Sequence, residues 1–127
     1  MAPNLVLETI LNTEELLKLI TDTADEFKAI DILVLGVTNV CDFADYFVIM
    51  SATSTTQASS IAEELHFRAK KAERTTLSEE GLSAGEWSLL DFGDIVVHVF
   101  LPQKREYYNL EELWSEAEVI SRTNIEE

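Results

Sequence analysis

Residues 87–100 read WSLLDFGDIVVHVF. Apolar residues crowd both sides of Phe92-Gly93, and many are β-branched, which suits strands. Glycine takes positive φ at no steric cost, so Gly93 allows a tight turn. The stretch therefore predicts two strands, Glu86 to Phe92 and Asp94 to Leu101, with Pro102 ending the second. Alternation along the second strand puts Val96, His98 and Phe100 on one face. Ile95, Val97, Val99 and Leu101 fall on the other.

Upstream, DILVLGVT (Asp31 to Thr38) and DYFVIMS (Asp45 to Ser51) are short and rich in branched apolar residues, as buried strands are. The short link between them predicts an antiparallel hairpin. Asn12 to Ala29 reads as an amphipathic helix, capped by Asn12 with Glu15 three residues on. Its apolar stripe is Leu16, Leu17, Ile20, Ala24 and Phe27. Ser54 opens a second helix with Gln57 in capping-box position. Ala58, Ile61, Ala62, Leu65, Ala69 and Ala72 form its inner stripe. Glu63, Glu64, Arg68, Lys70, Lys71 and Arg74 form its solvated face. Thr75 to Leu77 is predicted as a short edge strand, and Glu79 to Gly85 as a loop. Downstream, Lys104 to Glu118 returns to helical spacing, with Tyr107, Leu110, Leu113 and Trp114 on one side. The acidic residues after it are predicted to fray. The order is helix, two strands, helix, up to three strands, helix. This is a single α/β (α+β) domain, a mixed sheet of about five strands flanked by helices. Its core runs over about 12–114, with a tail at 115–127.

The chain has 127 residues, enough for one self-sufficient core. The formal net charge of −15 repels phosphate backbones and complements a basic protein partner. Little or no direct nucleic-acid binding is expected. The single cysteine, Cys41, forbids an internal disulfide and reads as a small apolar filler. No apolar run approaches the ~20 residues of a membrane span. MAPNLVLETI lacks the basic flank and long apolar core of a secretory leader.

Catalytic motifs are weak. DFG at Asp91 to Gly93 matches the kinase metal-binding signature in three letters only, without a Gly-rich loop or HRD. His98 sits inside an apolar strand, and no HxH or CxxC spacing accompanies it, so a packed, hydrogen-bonded role is expected. Asp42 with Asp45, and Asp91 with Asp94, are the acid pairs that could bind magnesium. No Gly-rich segment lies beside either to hold a triphosphate. The stretch SATSTTQ has no glycine or lysine. No cofactor, metal or catalytic residue is expected. The aromatic residues Trp87, Tyr107, Tyr108 and Trp114, lying near Asp91, Arg105, Glu111 and Glu112, have instead the composition of a protein interface.

These residues also resemble a known family. The set is DYFVI (Asp45 to Ile49), IAEEL (Ile61 to Leu65), EG (Glu80, Gly81), WSLLDFGDIVVHVF, and R-x-Y-Y-x-L-E-x-L-W (Arg105 to Trp114). Together they resemble the ribosomal silencing factor family, RsfS or Iojap. The resemblance implies a small domain similar to nucleotidyltransferases but without their catalytic apparatus. It implies a non-enzymatic factor that binds the large ribosomal subunit through its L-fourteen family protein. Such a factor blocks joining of the small subunit and represses translation, with a second role proposed in large-subunit assembly. It further implies homodimers when free, and action in the bacterial cytoplasm or in mitochondria and chloroplasts. Carried over motif by motif, the partner-binding residues are Glu80, Trp87, Asp91, Arg105, Tyr108 and Glu111. Trp87 would be an apolar anchor. Glu80, Asp91 and Glu111 would meet basic groups, and Arg105 and Tyr108 would donate hydrogen bonds or orient the acids. Thr56 departs from the family pattern, which is expected to carry a basic residue there. The rival reading is a metal-dependent nucleotidyltransferase using Asp91 or Asp94.

Overall fold

The computed structural model describes residues 10–82 and 85–126. The leader reading rests on Met1 to Thr9, and part of the predicted loop rests on Ser83 and Ala84. Both lie outside the described residues.

The first half of the chain folds as its pattern dictates. Helix α1 (Thr13–Glu26) starts at Asn12, whose side chain accepts from the Glu15 amide at 2.8 Å. Glu15 returns the bond to the Asn12 amide at 2.9 Å, closing the capping box. Strands β1 (Ile30–Gly36) and β2 (Tyr46–Ser51) pair antiparallel. Helix α2 (Thr55–Lys71) is capped by Ser54, which accepts from the Gln57 amide at 3.1 Å. Gln57 does not complete the box. Its carbonyl oxygen takes the Thr53 amide, and its amide group donates to the carbonyls of Phe27 and Lys28. It thereby ties the start of α2 to the end of α1.

Strand β5 (Ile95–Phe100) is the fold's axis. Every residue of it is buried, because it lies inside the sheet and both its faces are covered. It pairs antiparallel with β4 (Trp87–Asp91) through the Gly93 turn, where φ is +94°, and parallel with β2. The sheet has six strands, in the order β3 (Ser78–Leu82), β4, β5, β2, β1 and β6 (Glu118–Thr123). One face carries Ile32, Val34, Val48, Met50, Ile95, Val97 and Val99, packed under Leu16 and Ile20 of α1 and Ile61 and Leu65 of α2. Each such aliphatic side chain contributes roughly 1.5–3 kcal/mol by leaving water. The opposite face carries Leu33, Leu35, Phe47, Ile49, Val96 and Phe100. Helix α3 (Pro102–Tyr108), the one-turn α4 (Leu110–Leu113) and the 37–45 connection cover that face only in part.

Three expectations need correction. The edge strand is β3 (Ser78–Leu82), not Thr75 to Leu77. Residues read as loop pair with β4, so Glu79 and Glu80 are strand residues. Their charge suits an edge, where it deters pairing with another chain. Second, Lys104 to Glu118 is not one helix. Pro102 opens α3 at its first turn, and Asn109 breaks the path in the left-handed region at φ +48°. The break turns Tyr107 and Leu113 to solvent, while Leu110 and Trp114 pack on the sheet. Third, the acidic tail is not frayed. It forms β6 (Glu118–Thr123), antiparallel to β1, and adds the sixth strand. All six of its residues are exposed, so no burial pattern announced it.

Candidate interaction surface

The half-open face of the sheet gathers the residues singled out by the sequence. Directly opposed residues in a ladder share a face. Trp87 opposes Phe100, Leu89 opposes His98 and Asp91 opposes Val96. Glu80 opposes Leu89 and so joins the same face at its edge. Tyr108, at the end of α3, packs on Trp87 with ring centroids 4.5 Å apart. Arg105 and Glu111 stand at the far end of this face, beyond Phe100 and Ser51.

Trp87 is a half-buried hub. Its ring stacks on Phe100 at 4.8 Å, and its indole N–H donates to His98 Nδ1 at 3.1 Å. His98 is only 7% exposed, and burial pushes its pKa down to about 4. The ring is therefore neutral near pH 7, with Nδ1 accepting and the proton on Nε2. The expected packed, hydrogen-bonded histidine is what the geometry contains. Its neutrality also keeps a positive charge out of an aromatic surface.

The acids differ in role. Asp91 accepts from the Gly93 amide at 2.8 Å and so fixes the hairpin turn. Asp94 lies off the face. Burial alone would raise its pKa, but hydrogen bonds from Thr13 and Arg74 outweigh that and hold it low. Its two oxygens are thus committed to structural partners at 2.6 Å each. Asp42 and Asp45 line a separate cleft of about 350 Å³ with Cys41 and Asp94. Among the described residues, no group of three or more His, Cys, Asp or Glu is placed to hold a metal ion.

Arg105 is 7% exposed and directed inward. It donates to the Asp31 carbonyl at 2.8 Å, to Ser51 Oγ at 2.9 Å and to Glu111 at 2.8 Å. Of its two expected roles, the geometry supports orienting the acids. Sequence reasoning missed two apolar members of the face, Leu89 and Phe43. Leu89 is half-buried beside His98, while Trp114, already expected among the interface aromatics, packs edge-on against Phe47 at 5.0 Å. Phe43, in the β1–β2 connection, is 60% exposed and packs against both Phe47 and Trp114. An exposed phenylalanine in a turn flanked by aspartates was the available signal.

The family described as "Ribosomal silencing factor during starvation", RsfS, matches residues 10–127. The chain belongs to the RsfS family. It is 41% identical over 107 residues to the ribosomal silencing factor RsfS of Zymomonas mobilis, covering 84% of this chain and 80% of that one. It is 37% identical over 90 residues to the mouse "Mitochondrial assembly of ribosomal large subunit protein 1", covering 67% of this chain and 39% of that protein. A crystal structure of a Chromobacterium violaceum protein superposes with a TM-score of 0.79 at 31% identity, over 83% of this chain and 88% of that one. The RsfS resemblance and the mixed α+β class are thus borne out, with six strands in place of about five. No helix among the described residues is long and apolar enough to cross a membrane.

Proposed function

We propose that this RsfS-family chain binds the large ribosomal subunit through its L-fourteen family protein and blocks joining of the small subunit by occupying space. The observation that carries the reading is the asymmetry of the sheet. One face is sealed by α1 and α2. The other leaves Trp87, Leu89, Trp114, Tyr108 and Phe43 half-covered or exposed, bordered by Glu80, Asp91 and Glu111. Aromatic anchors within a polar rim are what protein interfaces use. The net charge of −15 supports attraction to a basic ribosomal protein. Occlusion needs no catalytic group, so no enzymatic activity is proposed. The free protein is proposed to form a homodimer. A role in large-subunit assembly is the second reading, favoured by the name of the mouse relative.

The variants that test this must spare the fold. Trp87→Ala does not, because it strips partners from Phe100, Tyr108 and His98. Glu80→Lys and Tyr108→Ala are better, since both side chains are exposed. Each should leave the melting temperature within a few degrees of wild type. Tyr108→Ala should weaken binding to purified large subunits by about 2 kcal/mol, roughly 30-fold, as an aromatic anchor does. Full affinity in both folded variants would remove this face from the function.

A further inference from the structure

The carboxylates and guanidinium groups beyond Phe100 close into a ring that the sequence motif only half contains. Arg105 and Glu111 belong to R-x-Y-Y-x-L-E; Asp31 and Arg122 do not. Arg122, on β6, binds Asp31 with two parallel bonds, Nε to Oδ1 at 2.7 Å and Nη2 to Oδ2 at 2.8 Å. Its Nη2 also lies 3.5 Å from Glu111 Oε1. The other oxygen of Glu111 takes Arg105 Nε at 2.8 Å. Arg105 Nη2 lies 3.5 Å from Asp31 Oδ2 without a hydrogen bond, so this side of the circuit is closed by charge alone. The backbone supports it, because Asp31 sits at φ +51° and donates its amide to the Asn124 carbonyl at 2.7 Å. Alternating charges with a bidentate arginine hold geometry better than an isolated surface pair.

The ring matters for where it sits. Arg105 is three residues before Tyr108 on α3, and Glu111 opens the turn that leads to Trp114. Between them Asn109, at φ +48°, is the break where the chain changes direction. Arg105 and Glu111 are bonded across that break, and Asp31 and Arg122 anchor the bond to β1 and β6. We infer that Arg122 is a positioning residue of the interaction surface: from the C-terminal edge strand it holds Asp31 and Glu111, and through them Arg105 and the angle at which α3 lays Tyr108 on Trp87. This rests on the reading of that face as the binding surface. It makes β6 part of the functional unit rather than an acidic appendage.

The test measures affinity for purified large subunits and, separately, hydrogen exchange of the α3 amides in the free protein. Arg122→Ala should bind about tenfold more weakly, and the amides of residues 105–109 should exchange faster. Arg122→Lys keeps the charge but cannot make the parallel pair, so it should remain weakened in both measurements. Combined with Tyr108→Ala, Arg122→Ala should add little further loss, because the group it positions is already gone. Wild-type affinity and exchange in Arg122→Ala, or full rescue by lysine, would overturn the inference. So would losses that multiply in the double variant. Failure of the wild-type protein to bind large subunits would instead overturn the proposed function, while the exchange measurement would still decide whether Arg122 holds α3.

Discussion

At the scale of single residues, His98 carries the most specific consequence. Its folded-state pKa of about 4 lies below the ordinary value of 6.5 because burial disfavours the charged ring. Between those values the unfolded chain binds a proton that the native state refuses. The histidine's contribution is therefore complete above pH 6.5 and is lost as pH falls towards 4. Integrated over that window it amounts to roughly 3 kcal/mol. Denaturant midpoints measured from pH 7 to pH 4 should fall accordingly, and His98→Gln should flatten the slope. An equal slope in the variant would show that the ring is not buried neutral. Asp31 and Asp94 act in a lower window. Arg122 beside Asp31, and Thr13 with Arg74 beside Asp94, hold both below the usual carboxylate value of 3.8. Their contribution is lost only under stronger acid. Much at this scale was legible in the sequence. Strand alternation placed His98 with Val96 and Phe100, and the motifs named Trp87, Asp91 and Tyr108, but Glu80 was read in a loop and reaches the face only through its pairing with Leu89. The inward direction of Arg105 was not legible. It depends on Asp31 and Ser51, which lie 74 and 54 residues away in the chain.

At the scale of elements, the breaks in pattern mark what local sequence cannot specify. Helical spacing runs through Lys104 to Glu118, yet Asn109 at φ +48° divides it. Asparagine enters that region at low cost and β-branched residues do not. Asn109→Gly should be within about 0.5 kcal/mol of wild type, and Asn109→Val should cost about 1–2 kcal/mol in denaturant melts. A neutral valine would mean that one continuous helix is as good a solution. Strand β6 was illegible for a different reason. Its residues are all exposed and it is held by the ladder to β1 and by Arg122. Such a strand has no apolar period to read. A chain ending at Ala117 should lose roughly 2 kcal/mol, about 8 °C in melting temperature for a domain of this size. It should also self-associate with rising concentration, because the edge of β1 beside Leu33 and Leu35 is uncovered. An unchanged melting temperature would return these residues to the status of a tail.

At the scale of the whole molecule, the fold divides labour between two faces. The helical layer seals one side of the sheet, while α3, α4 and the 37–45 connection cover the other only in part and leave Trp87, Leu89, Trp114, Tyr108 and Phe43 at its surface. The acidic field acts at longer range than any single contact. Association with large subunits should therefore slow steeply between low and physiological salt, while dissociation changes little. Stopped-flow binding at several ionic strengths reads both rates. Occlusion of subunit joining is read by gradient sedimentation of purified subunits at joining magnesium, with wild-type protein and with Tyr108→Ala. Wild-type protein should travel with the large subunit and lower the joined-ribosome peak, and Tyr108→Ala should need roughly 30-fold more protein to do either. Wild-type protein left at the top of the gradient, with joining unaffected, would contradict it.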